Sequence, residues 1–89
     1  MMNLRYSRQF VTSLRQLAYD DKQAVIHALE AFQEIPLDPS LKNHALTGRM
    51  SGKRAFSVAH DLRVVFTERG NCEDVTLLDA GGHAGVYLQ

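Results

Sequence analysis

The sequence predicts an α+β fold: an N-terminal helical hairpin packed on a small twisted antiparallel sheet, in the order β-α-α-β-β-β. Three observations predict it. Apolar residues recur at helical spacing as far as Phe32. From Lys53 onward the apolar period changes to two, the period of a strand. Between the two regimes stand Pro36 and Pro39, which stop a helix.

Asn3 to Tyr6 reads as a short edge strand, and Ser7 behind it as a helix N-cap. Phe10, Leu14 and Leu17 then fall at i, i+4, i+7, one face of a first helix. A tight break is expected at Ala18–Tyr19. Asp20 and Asp21 suit the start of a second helix, by capping and through the helix dipole. Val25, Ala28, Leu29 and Phe32 form its apolar face, and it should stop near Ile35. A polar loop, NHALTG, leads to three strand-like runs: RAFSVAHD, LRVVFTE and DVTLLDA. Phe56 and Val58 share one strand face, as do Leu62, Val64 and Phe66 on the next, and Val75 and Leu77 on the third. The faces of the first two of these strands should meet the helices. The opposite face, with Ser57, Arg63 and Thr67, should be open and wet. Turns near His60–Asp61 and at Arg69-Gly70-Asn71 are short, which favours antiparallel pairing.

Composition narrows the classes of function. The 89 residues, 45% hydrophobic and 22% charged, suit one globular domain over residues 1–89, with no linker or repeat. No apolar run approaches the roughly 20 residues of a membrane span. MMNLRYSRQF carries no apolar signal core, and the single Cys72 can form no internal disulfide, so a cytoplasmic location is expected. Net charge is zero but unevenly spread. Leu41 to Gly70 holds six basic residues (Lys42, Arg49, Lys53, Arg54, Arg63, Arg69) against Asp61 and Glu68, a net of +4, and the remainder carries −4. One surface is therefore suited to phosphate. The competing reading is six solvated surface positions.

The four histidines show no metal-ligand spacing, so no metal or cofactor is expected, and Gly81, Gly82 and Gly85 precede no helix long enough to cradle a phosphate. His83 follows two glycines, which are expected to turn the chain sharply after the last strand, and Tyr87 lies four residues on. His44 sits in the polar loop, where an imidazole titrates near neutral pH. Arg63 alternates onto the wet face, where a guanidinium can pair with phosphate or with Asp61 or Asp79. His27 and His60 read as structural or solvated.

The succession NHALTG, GKRAFSVAHDLRVVF and VTLLDAGGHAGVY resembles the RelE/ParE superfamily of toxins of type II toxin–antitoxin systems, and is most similar to the RelE/YafQ branch of mRNA interferases. The resemblance covers almost the whole chain. It is carried by the loop histidine before Leu-x-Gly, the strand phrase Asp-Leu-Arg-Val-Val-Phe, and the terminal Gly-x-His-x-x-x-Tyr. It implies a metal-independent, ribosome-dependent endoribonuclease that cuts mRNA in the ribosomal A site and is silenced by a cognate antitoxin protein. The implied reaction is attack of a ribose 2′-OH on the adjacent phosphate.

Residue by residue, the resemblance makes His83 the main proton-transfer group and His44 its partner. It makes Arg63 the charge stabiliser, Asp61 the acidic residue of the sheet, and Tyr87 a stacking or orienting group. Lys42, Arg49, Lys53, Arg54 and Ser57 would line the RNA. The chain departs from the pattern at Ser57, where a YafQ-like toxin carries a further histidine. Two other readings share the fold: a ParE-like binder of DNA gyrase that needs no histidine, and an inactive antitoxin-binding relative.

Overall fold

The computed structural model of the chain describes residues 2–82. Strand β1 (Asn3–Tyr6) leads into α1 (Arg8–Gln16) and α2 (Tyr19–Glu34). Four further strands follow: β2 (His44–Ala45), β3 (Arg54–Ala59), β4 (Leu62–Arg69) and β5 (Asp74–Gly82). They form one sheet in the order β1-β5-β4-β3-β2. The helices were expected where they are. Ser7 caps α1 by accepting the Phe10 N–H at 3.0 Å, and α2 closes on Ile35. Ala18 rather than an aspartate is the N-cap of α2. Asp20 and Asp21 lie inside its first turn, where their negative charge complements the helix dipole without capping.

The core forms where α2 crosses the sheet. Phe32 stacks on Phe56 with ring centroids 4.6 Å apart and meets Phe66 edge-on at 4.9 Å. Phe10, Val25, Leu29, Leu62, Val64, Val75 and Leu77 complete it, all buried. The alternation read from the sequence therefore sets the helix-facing side of β3, β4 and β5.

Three features differ from the expectation. The sheet is mixed: β2 to β5 pair antiparallel, but β1 runs parallel to β5, with Leu4 opposite Val75 and Arg5 opposite Thr76. A strand at the far end of the chain has no short turn to dictate its direction. Its helical crossover lays it along the edge of β5. Second, the NHALTG segment is not all loop, because His44 and Ala45 pair with Ala55 and Arg54 as an edge strand. Third, Gly81 and Gly82 continue β5 instead of turning it.

The outer face is also less open than expected. Ala55 and Val65 are buried there beneath Leu46, Met50 and Leu78. A 3₁₀ turn at Gly48–Met50 folds Met50 onto this small apolar cluster. Two bulges shape the sheet. One extra residue lies in β3 between Ser57 and Ala59, and one in β5 opposite the Val65–Phe66 step. The second bulge lets Leu77 and Ala80 both join the helix-side core while Leu78 joins the outer cluster.

Candidate functional site

Cross-strand register places the candidate residues. Ser57 and Arg63 are direct partners on the outer face, and Arg63 in turn faces Gly81 of β5. His44 faces Ala55, so it lies on the same face, one pair of residues along β3 from Ser57. The rows differ by about 7 Å along the strand. Sheet pairing thus brings His44, Ser57, Arg63 and the end of β5 together. His83 and Tyr87 lie outside the described residues.

His44 is exposed, and its Nδ1 lies 2.8 Å from the Lys42 carbonyl oxygen. A carbonyl only accepts, so Nδ1 must carry the hydrogen and donate it. In the neutral ring that leaves the lone pair on Nε2. Lys42 holds this carbonyl from a left-handed conformation, φ 51°, which ends the 3₁₀ turn Pro39–Leu41. Asp38 begins the same turn and accepts from the Ser40 backbone N–H and hydroxyl at 2.8 and 2.7 Å. Those two bonds hold its carboxyl below the usual range.

Arg63 is half-buried, and its Nη1 donates to the His60 carbonyl at a long 3.5 Å. The pairing with Asp79 weighed from the sequence does not form. Asp79 is buried and accepts from the Ser13 hydroxyl of α1 and from the Ala80 N–H, while its second oxygen has no partner. Asp61 is not inside the sheet, as the resemblance implied, but in the exposed turn between β3 and β4. Its carboxylate reaches back over β5. A Cβ built on Gly82 would lie 2.9 Å from Asp61 Oδ2. Leu17, Asp21, His60 and Leu62 line the cleft of about 370 Å³ around this contact. The sequence showed only a glycine doublet. That the second glycine admits a carboxylate needed the fold.

The basic residues divide between the two faces. Lys42 and Arg49 are exposed on the segment around β2, and Lys53 precedes β3 with outward alternation. Arg54 shares the helix-side face of Phe66, its direct partner, and its Nε donates to Asn43 Oδ1 at 2.9 Å. It lines a separate cleft of about 460 Å³ with Ile35, Leu37, Glu68 and Cys72. Burial, and then the Glu68 charge, push the Cys72 thiol up, with Arg54 opposing. Among the described residues no group of three or more metal-ligating side chains occurs. No described helix is long and apolar enough to cross a membrane.

Comparison with known proteins joins these observations. The chain superposes on a crystal structure of a YafQ mutant from E. coli with a TM-score of 0.72 at 18% identity, covering 98% of this chain and 99% of that one. A YoeB/ParE toxin from Agrobacterium tumefaciens matches with a TM-score of 0.74 at 14% identity, over 92% and 99% of the two chains. A chain of the E. coli DinJ–YafQ complex matches with a TM-score of 0.69 at 20% identity, over 98% and 99%. At these identities the likeness is one of fold. No curated protein sequence matches the chain. Residues 2–87 match the family described as the bacterial toxin of type II toxin–antitoxin system, YafQ. From this match over nearly its whole length, the chain belongs to the YafQ family of bacterial type II toxins.

Proposed function

We propose that this protein is an endoribonuclease toxin that cleaves mRNA on the ribosome, in the A site, without a metal, and is held inactive by a cognate antitoxin. The observation that carries the reading is the meeting of His44, Arg63 and the end of β5 on one sheet face. His44 and Arg63 come from separate strands, and His83 follows Gly82 directly in the chain.

The 2′-oxygen attacks phosphorus, the bond from phosphorus to the 5′-oxygen breaks, and the products are a 2′,3′-cyclic phosphate and a 5′-OH. His44 Nε2 carries the free lone pair and takes the 2′-OH proton. His83 gives a proton to the leaving 5′-oxygen. The Arg63 guanidinium neutralises charge on the equatorial oxygens. Asp61 orients the segment that carries His83, and Tyr87 stacks on a base. Lys42, Arg49 and Lys53 hold flanking phosphates, with Ser57 against the cut linkage, while Arg54 acts from the helix-side rim.

The antitoxin reading rests on family membership and on the solved toxin–antitoxin complexes of relatives, DinJ–YafQ and YoeB–YefM. The test is expression without an antitoxin, with primer-extension mapping of mRNA ends in the presence of EDTA. Growth arrest with discrete, EDTA-resistant cuts is expected, abolished by His83→Ala and reduced by His44→Ala. Full cleavage by both variants defeats the mechanism. Inhibition of supercoiling with no RNA cleavage selects the gyrase binder instead.

A further inference from the structure

A second polar cleft lies on the outer face, at the opposite end of β4 from Arg63. It has a volume of about 230 Å³ and is lined by Arg5, Thr67, Glu68, Arg69, Asp74 and Thr76. Register builds it. Arg5, Thr76 and Thr67 stand side by side on β1, β5 and β4, and the next row holds Asn3, Asp74 and Arg69. The two arginines therefore occupy diagonal corners of a two-row grid, with Cα atoms roughly 12 Å apart at ordinary strand spacing. Two guanidinium groups can converge over that span on one anion, with the threonine hydroxyls between them.

Two carboxylates share the lining, Asp74 and Glu68, and each already accepts a hydrogen bond from a neighbouring N–H. Asp74 accepts from the Asn3 side-chain amide at 3.1 Å, and Glu68 accepts from the Cys72 backbone N–H at 2.8 Å. Among the described residues Arg5, Arg69, Thr67 and Thr76 show no side-chain hydrogen bond or ion pair. Beside the two carboxylates the cleft therefore holds four donor side chains without such a partner, two of them the guanidinium groups that stand at its diagonal corners.

We propose that this cleft binds a phosphate of the RNA chain a few nucleotides from the cleaved linkage. The inference rests on the endoribonuclease reading above and extends it to a remote anchor. Arg63 and Arg69 share the outer face of β4, separated by about 20 Å along the strand. A polyanion with charge at regular intervals can reach both ends of that face. Paired guanidinium forks and hydroxyls suit phosphate oxygens. Arg5 joins the cleft only because β1 pairs parallel to β5.

The test is binding of a short single-stranded 2′-O-methyl RNA, which lacks the attacking 2′-OH and cannot be cut, followed by anisotropy across a salt series. The variants are Arg5→Gln/Arg69→Gln and, separately, Arg63→Gln. The double variant should bind roughly ten-fold more weakly, with the log–log salt slope shallower by about 0.7 for the lost phosphate. Equal affinity and slope for wild type and double variant overturn the cleft, and leave the endoribonuclease reading standing if Arg63→Gln weakens binding. Failure of the wild type to bind RNA overturns the cleft, while the ribosome-dependent cleavage stands or falls on the primer-extension test. Poly-glutamate bound as tightly as RNA, with the same dependence on Arg5 and Arg69, assigns the cleft to protein carboxylates and overturns the proposal.

Discussion

Gly82 lies under the carboxylate of Asp61, so close that a methyl group at position 82 would sit 2.9 Å from Asp61 Oδ2. The contact joins the β3–β4 turn to the last described residue of β5. Gly82→Ala must push a short, exposed side chain aside, which costs little stability, under about 1 kcal/mol. It also displaces the carboxylate from the end of β5, the strand that His83 follows in the sequence. RNA cleavage should fall at least about ten-fold, following the sensitivity of catalysis to small misplacements. Urea unfolding and single-turnover cleavage check the two halves. Wild-type cleavage by Gly82→Ala would detach Asp61 from the site.

Arg63 should separate function from stability in the same way. It is half-buried and makes one long hydrogen bond among its described contacts, so Arg63→Gln should move stability by less than about 0.5 kcal/mol. If the guanidinium faces transition-state charge, the rate should drop by about 10²–10³. Arg63→Lys should recover only part of it, because an ammonium lacks the planar fork. A variant that melts early and cleaves normally would make Arg63 a structural residue.

Ser57 stands directly opposite Arg63, where the family pattern has a histidine. Ser57→His adds a titratable group to the row without disturbing the buried neighbours Ala55 and Phe56. The expected outcome is faster cleavage at pH 7, by up to about 10²-fold for a well-placed acid or base, with a new limb in the pH–rate profile near pH 6–7. An unchanged profile would mean that His44 and His83 already fill both proton-transfer roles.

Most of the fold was legible because its signals are local. The spacing of Phe10, Leu14 and Leu17 and the alternation through Phe56, Val64 and Phe66 each assign a buried face from a few neighbouring residues. What was not legible depended on distance along the chain. Nothing local tells Asn3–Tyr6 that its partner is Asp74–Leu77, or that it must run parallel. Nothing in GGH tells whether the glycines turn the chain or continue the strand, because glycine permits both. The site followed the same division. Arg63 and Ser57 could be assigned to the wet face by parity. Arg54, placed with the RNA-facing set, belongs by parity to the other face, where Asn43 holds it. The placement of Asp61 above Gly82 needed the β3 bulge and the end of β5 together.

The β4–β5 connection carries three consecutive residues of positive φ: Gly70 at 64°, Asn71 at 55° and Cys72 at 70°. Glycine adopts this region freely and asparagine tolerates it, whereas a β-branched residue does not. Asn71 is exposed, so its substitutions report the backbone alone. Asn71→Gly should stay within about 0.5 kcal/mol of wild type, and Asn71→Val should lose about 1–2 kcal/mol. Chemical denaturation of the three proteins measures it. Equal stability of the valine variant would show that the turn changes conformation in solution.

Cys72 sits at the end of that turn, half-buried, its thiol pushed up first by burial and then by the Glu68 charge, with Arg54 pulling the other way. A raised thiol holds its proton more tightly in the folded state than in the unfolded one. Its contribution to stability is therefore complete below the unfolded thiol's pKa and is lost as pH rises through the folded value. The thiolate is the reactive form, so iodoacetamide should modify the folded protein more slowly than the urea-unfolded chain at pH 8, and the folded rate should climb only at more alkaline pH. Arg54→Gln removes the opposing charge and should shift the folded profile further to alkaline pH. Glu68→Gln should shift it back toward neutral. A folded profile that moves with neither variant would mean that burial alone sets the thiol, and that the charges around the Ile35–Leu37 cleft do not reach it.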